Sequence, residues 1–509
     1  MLDLSSGYAL TLLLALYHLA CFIYNLYLHP LKHYPGPRLA AVSRLRITYA
    51  TLTGDSAFWI HRLHQEYGPV VRVAPNELSY TDQRAWNDIY GSTPAHPASF
   101  PRDPGILQFL DDEENKPSLG TCGDEEHRRI RRAYAPAFSK RALAEQEPLF
   151  QRYADALVTK GLEAKGTVTN VSQLFGYTFF DIIGHIQYGE SLGALENGTN
   201  RSWADSQLWL AHAATCLQAL ADFPLIKLMV EFVVVPATSG GRKAVHDMIN
   251  TRLDKRLAQH DSERRDLVGI AFQSSRKTCL TERDIRANAP AIMLAGSETL
   301  ASYLTLFTAT LLQHPKEMAR LTSEIRTAFQ TLSDVTFEAA ARLPYLEACI
   351  RETMRVIPPN ASPFPRKVPK GGATILGQWV PEGTRVYGAP LATMRAPDSF
   401  HKAEMFIPER WLESRGAEFE ADNRAAYQPF SLGPRNCIGQ EMAYSTARLV
   451  ICKLLLKFDI TPALDLGKWT RSLRAWTTWA SPPLLVHLAP VALAAVNGRT
   501  SLCREGVVG

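Results

Sequence analysis

Phe430-Ser431-Leu432-Gly433-Pro434-Arg435-Asn436-Cys437-Ile438-Gly439 is the stretch on which the reading of this chain turns. A Gly-Pro turn leads into Cys437. The run 440–458 that follows carries Met442, Ala443, Leu449, Val450, Leu454 and Leu456 at helical spacing. Cys437 therefore stands just ahead of a first helical turn, where free backbone N–H groups and the positive end of the helix dipole favour a thiolate. A lone cysteine in such a place is usually a small buried hydrophobe. Here Phe430, Gly433, Arg435 and Gly439 surround it at fixed spacing, and the reading shifts to a metal-ligating thiolate.

At these five positions the segment resembles the heme-binding loop of the cytochrome P-450 superfamily. The resemblance implies that Cys437 is the axial ligand of the iron of heme b, a ligation that pushes electron density toward O–O cleavage. Phe430, Gly433 and Gly439 would adjoin the cofactor, the two glycines letting backbone approach the porphyrin closely, and Arg435 would reach a propionate.

Working outward, the 509 residues are 46% apolar and 21% charged, with no linker, repeat or low-complexity run to divide them. One large domain behind an N-terminal anchor is expected: 1–30 as the anchor and 31–509 as the catalytic body, with 31–40 a proline-rich hinge. The net charge of +5 is too small to argue for nucleic acid. Eight scattered cysteines with no CxxC fit a reducing compartment and speak against a disulfide framework or a zinc site.

Between Asp3 and Lys32 there is no charged residue, and residues 8–28 have the length of a bilayer span. A transmembrane helix is expected there, since a cleavable leader would carry Lys or Arg where this chain has Asp3. Lys32, Arg38, Arg44 and Arg46 follow with no acid before Asp55, which places the body on the cytosolic side of a single-pass anchor, by resemblance in the endoplasmic reticulum membrane.

Residues 70–80 read as a hairpin, and helical patterns fill 127–143, 147–161, 208–220, 244–260, 283–313, 315–332 and 344–356. Strand signals return near 374–376, 384–387 and 484–488. The outcome is a mainly α fold with small β-sheets (α+β), which is what the resemblance also implies.

The helix through Ala295-Gly296-Ser297-Glu298-Thr299 is apolar except at its centre. It resembles the family's oxygen-activating segment, in which Thr299 would pass protons toward bound dioxygen, Glu298 would renew them, and Gly296 would open space. The competing reading is a threonine bonded back to its own helix and a solvated glutamate. Pro290 should start or kink this helix.

Glu-x-x-Arg occurs five times and is uninformative alone. Only Glu352 and Arg355 lie in an apolar helix followed by Pro358-Pro359 and, later, by the Arg410 segment. In the family such a trio forms a buried ion network behind the heme loop.

The basic helix from His127 resembles a propionate-binding element in which Arg131 keeps its role and His127 stands where the family has Trp. Arg366 resembles a further propionate ligand. The other cations could steer an acidic redox partner.

Taken together, these residues imply a membrane-anchored heme-thiolate monooxygenase. It would insert one atom of dioxygen into a lipophilic substrate, with electrons from NADPH delivered by a flavoprotein reductase. The His29-Pro30-Leu31 and Gly68-Pro69-Val70 segments are similar to filamentous-fungal members acting on polyketides or terpenoids in toxin-type pathways. A reductase-independent isomerase or dehydratase, and a non-catalytic heme-binding protein, are the alternatives.

Overall fold

The computed structural model describes residues 4–91, 99–103, 116–259, 266–278 and 280–491. Seven of its helices carry the argument: α1 (Leu4–Ile23), α2 (Asp124–Tyr134), α3 (Val171–Tyr188), α4 (Arg201–Ala221), α5 (Glu282–Gln313), α6 (Pro344–Val356) and α7 (Gln440–Lys457). The strands that matter are β1 (Val70–Ala74), β2 (Glu77–Tyr80), β3 (Val168–Asn170), β4 (Arg366–Lys367), β5 (Arg385–Gly388), β6 (Phe458–Pro462) and β7 (Leu485–Pro490).

α5 is the axis of the molecule. Thr281 caps it, accepting from Asp284 N while the Asp284 carboxylate accepts from Thr281 N, so two otherwise orphaned donors are satisfied. Pro290 lies inside this helix and does not start it. The next helix begins at Pro315, a residue that cannot continue the turn before it.

α3 packs along α5 and is buried on every side, with Phe175, Phe179, Phe180, Ile182 and Ile183 all in the core. Having no polar face, it shows no amphipathic stripe in the sequence. The basic segment is one helix only as far as Tyr134. A 3₁₀ turn over Ala135–Phe138 intervenes before a new helix, Lys140–Glu163, capped by Ser139.

β1 and β2 form the expected hairpin, Val70 opposite Tyr80. β2 then pairs parallel with β5, and β5 antiparallel with β4, so distant parts of the chain share the sheet order β1-β2-β5-β4. A second sheet runs β3-β7-β6. The first sheet has its own apolar core, separate from the helical one.

Charge joins this sheet to the end of α4. Asp222, the residue after the last turn of α4, pairs with Arg44 at 2.8 Å and Arg385 at 3.0 Å. Those two arginines also hold Glu77 and Asp103, at 2.7 and 2.8 Å.

The N-terminal expectation is corrected. Among the described residues no helix is long and apolar enough to cross a membrane. The stretch 8–28 is divided between α1 and a π-helical turn, Tyr24–Leu28. That turn is tied to the body: Asn25 Nδ2 donates to Val42 O at 3.3 Å, and Arg72 Nη1 donates to Asn25 O at 2.9 Å. The segment expected to be a hinge is docked too, with Leu31 and Tyr34 buried and Arg72 N bonded to Pro35 O at 2.7 Å.

Candidate functional site

Gly439 is the residue at which α7 is capped, and Cys437 lies two positions before it. The loop is fixed from within. Cys437 N donates to Phe430 O at 3.0 Å, and Asn436 N to Gly433 O at 3.1 Å. Gly433 has φ +78°, and a Cβ there would sit 1.9 Å from Tyr90 O, so this glycine is demanded by the protein's own backbone. Gly439 is different. A Cβ on it would meet Cys437 Sγ and Phe138 only at 3.9 Å, an ordinary contact, and glycine here leaves room beside the sulfur.

Cys437 is exposed to a water-sized probe although many protein atoms lie around it. Burial pushes its thiol pKa up; the Gly439 N–H and Arg131 pull it down without prevailing. The Gly439 N–H at the helix start thus acts in the direction the sequence reading expects, against the opposing desolvation of the charged form.

Arginines gather around the cysteine loop. Arg131 donates to Asn436 O at 2.6 Å and to Asn436 Oδ1 at 2.7 Å, gripping the residue before the cysteine. Arg435 pairs with Asp124 at 2.7 Å and donates to Cys122 O, yet its buried Nη1 has no partner among the described residues. Arg366, buried in β4, donates to Phe100 O at 3.1 Å, and its Nε has no partner among the described residues.

Arg102 faces Arg366 across an isolated bridge and went unnoticed in the sequence, where a single arginine in an unpatterned loop carries no signal. Its pKa is pushed down to about 9 by burial, then by Arg366 and Arg435. Burial, followed by Arg435 and Arg131, holds His127 near 4 and hence neutral. Buried guanidinium donors with no partner among the described residues call for an anionic group to be supplied. A heme with two propionates and an iron fits this set: Arg366 and Arg435 with buried donors that have no partner among the described residues, and one exposed cysteine.

Behind the loop, the Glu352 carboxylate accepts from Arg355 Nε and Nη2, both at 2.8 Å, Arg410 Nε at 3.0 Å, Ile407 N at 2.8 Å and Trp411 Nε1 at 2.9 Å. Glu352, Arg355 and Arg410 are buried completely or nearly so, and Arg410 also pairs with Asp422 at 2.6 Å. A relay of aromatic contacts joins this network to the cysteine. The Trp411 ring lies 4.9 Å from Tyr427, Tyr427 Oη lies 2.9 Å from Tyr444 Oη, and the Tyr444 ring lies 5.2 Å from Phe430. These aromatic links, too, carry no spacing signal and were not legible.

On α5, the side chains around Ala295 are bare. Ala295 is exposed, and Glu298 and Thr299 are half-buried, in a helix otherwise packed on most faces. Thr299 Oγ1 donates to Ala295 O at 2.7 Å, which is the back-bonded arrangement. Gly296 does not open space as expected: a Cβ there would lie 2.5 Å from Ile183 Cδ1, so the vacancy is taken by α3. Burial, followed by repulsion from Asp205, pushes the Glu298 carboxyl up to about 8, so it carries a proton at neutral pH. Of Phe100 to Thr121, a stretch expected by resemblance to contribute to a substrate pocket, 104–115 lie outside the described residues.

A family model described as Cytochrome P450 matches residues 47–479. Among curated relatives, cytochrome P450 monooxygenase aneG of Aspergillus aculeatus is 35% identical over 94% of this chain and 90% of its own. Cytochrome P450 monooxygenase efuB of Hormonema carpetanum is 37% identical over 93% of this chain and 94% of its own. Averantin hydroxylase of Dothistroma septosporum is 36% identical over 96% and 93%.

Proposed function

The chain belongs to the cytochrome P450 family, oxygen-incorporating oxidoreductases with heme iron as cofactor, and from that premise we propose that it hydroxylates a lipophilic polyketide or terpenoid intermediate of fungal secondary metabolism. The observation that carries this reading is the pair of buried guanidiniums, Arg366 and Arg435, with donors unpartnered among the described residues, together with the exposed Cys437 in the same loop as Arg435. When bound, the heme supplies activation of dioxygen at a thiolate-held iron.

The chain's own residues do the rest. Cys437 would hold the iron, while Arg102, Arg131, Arg366 and Arg435 would neutralise the propionates. The network of Glu352, Arg355 and Arg410 keeps Phe430 and Cys437 in register through Trp411, Tyr427 and Tyr444. Glu298, protonated at neutral pH, is the proton source on α5. Thr299 turns its hydroxyl from Ala295 O to pass that proton inward.

NADPH electrons arrive from a flavoprotein reductase, for which exposed Arg128, Arg132, Lys140 and Arg141 offer a cationic landing site. Exposed Leu12, Leu13, Leu16, Leu19 and Phe22 on α1 support attachment of the chain to the endoplasmic reticulum membrane, with the body in the cytosol. The test is Cys437→Ser: the parent's reduced carbon-monoxide complex shows a thiolate-type Soret band and the variant's does not. Persistence of that band in the variant would overturn the reading.

A further inference from the structure

Where α4, the helix Ser56–Tyr67 and strands β2 and β5 meet lies a cavity of about 170 Å³. Ile47, Ile60 and Phe364 give it apolar walls, and Ser56, Gln218 and Arg102 give it polar ones. Its other charges are matched in place. Glu77 accepts from Arg44 at 2.7 Å and from Tyr387 Oη at 2.9 Å, Asp222 pairs with Arg44 and Arg385, and Asp103 pairs with Arg385 at 2.8 Å and Lys367 at 3.4 Å.

Three polar groups of the wall are not matched. Arg102 has no ion pair and no side-chain hydrogen bond among the described residues, and its guanidinium lies over the Phe364 ring, 5.1 Å from the centroid. The hydroxyl of buried Ser56 and the Gln218 amide likewise have no hydrogen bond among the described residues. Guanidinium, hydroxyl and amide can all donate, and the three residues line one space.

Heme does not exhaust the positive charge here. Arg102, Arg131, Arg366 and Arg435 are four cations, His127 beside them is neutral, and among the described residues Asp124 is the one carboxylate paired with any of the four. Two propionates would leave one cation over, and of the four only Arg102 lines this cavity. A half-buried guanidinium without a counter-charge is costly, and an acid group in the cavity would relieve it. We propose that the cavity holds a carboxylate of the substrate, accepting from Arg102, Ser56 Oγ and the Gln218 amide, so that the enzyme acts on an apolar compound bearing an acid group. This rests on the monooxygenase reading above and narrows its substrate class.

Binding is measured by equilibrium dialysis of the holoenzyme at pH 7 against 2-naphthoate, 2-naphthamide and 2-ethylnaphthalene, which share one ring system. The parent is expected to bind the acid about tenfold or more tightly than the amide of the same shape, the effect of charge-assisted hydrogen bonds. Ser56→Ala and Gln218→Leu, tested separately, should each weaken binding of the acid about threefold or more while leaving 2-ethylnaphthalene within about twofold. Arg102→Gln bears on heme retention as well, so the decision rests on the other two substitutions.

A parent with a smaller preference for the acid, or an acid affinity that falls by less than about threefold in either variant, would overturn the proposal. The carbon-monoxide spectrum of each preparation reports separately on the thiolate-heme reading, so failure of one is not mistaken for failure of the other. Should one of the two variants not fold, the other decides the matter alone.

Discussion

Replacing Glu352 with Gln changes one oxygen for an amide nitrogen and removes one charge, at a site with no access to water. The carboxylate accepts five hydrogen bonds, two at one oxygen and three at the other. A glutamine amide can satisfy one of those groups and must turn N–H donors toward the other, which holds donors only. Arg355 keeps three backbone carbonyls, Met394, Ala403 and Met405, but no counter-charge, while Arg410 keeps Asp422. Breaking a buried ion pair by removing one partner costs about 3–5 kcal/mol. That is a large part of the roughly 5–15 kcal/mol by which a domain is stable.

The Arg355→Gln change removes the stranded charge, so the double variant Glu352→Gln/Arg355→Gln should lose less than the two single losses together, by about 1–3 kcal/mol. Urea unfolding followed by circular dichroism gives the four corners of the cycle where unfolding is two-state. Because Trp411, Tyr427 and Tyr444 lead from Glu352 to Phe430, the single variant should also shift its carbon-monoxide complex away from the thiolate-type band. A loss below about 1 kcal/mol for Glu352→Gln, or strict additivity in the cycle, would refute the view that this carboxylate holds two buried cations together.

Gly433→Ala should cost more than about 2 kcal/mol in urea unfolding, since its Cβ would meet Tyr90 O at 1.9 Å in a left-handed conformation. Gly439→Ala should leave the unfolding midpoint nearly unchanged yet lower the heme content of purified protein. Glu298 carries its proton until pH passes about 8, so coupled turnover should hold at neutral pH and fall as pH rises through that value. Asp205→Asn removes the repulsion that helps keep the proton on, and should move this alkaline limb to lower pH in a pH–rate profile. Arg102→Gln should reduce heme retention on gel filtration without loss of helix content, because it takes away one of the mutually repelling cations that an anionic cofactor neutralises.

The helices with caps and stripes were legible: 344–356 coincides with α6, and 283–313 differs from α5 by one residue. α3 was not, because a helix buried all round writes no period into the sequence. Among the five Glu-x-x-Arg spacings, position beside Pro358 and Arg410 was enough to single out the pair that the fold buries completely. Local spacing did not reveal what tertiary packing decides. Ile183 fills the gap at Gly296, Tyr90 dictates Gly433, and the lone loop residue Arg102 arrives beside Arg366 through a strand contact across more than half the chain. The apolar run at the N-terminus was legible as apolar, but its length did not foretell that Tyr24–Leu28 would be tied to Arg72 and Val42.

The seam between the four-stranded sheet and the end of α4 consists of Arg44 and Arg385 against Asp222, at side-chain exposures of 19–22%. With roughly four-fifths of each side chain out of water, the three charges cannot trade partners for solvent as an exposed pair does. Losing Asp222 would leave Arg44 and Arg385 side by side with Glu77 and Asp103 as their remaining partners, so the acid that ends α4 ties that helix end to the sheet by a balance of charge.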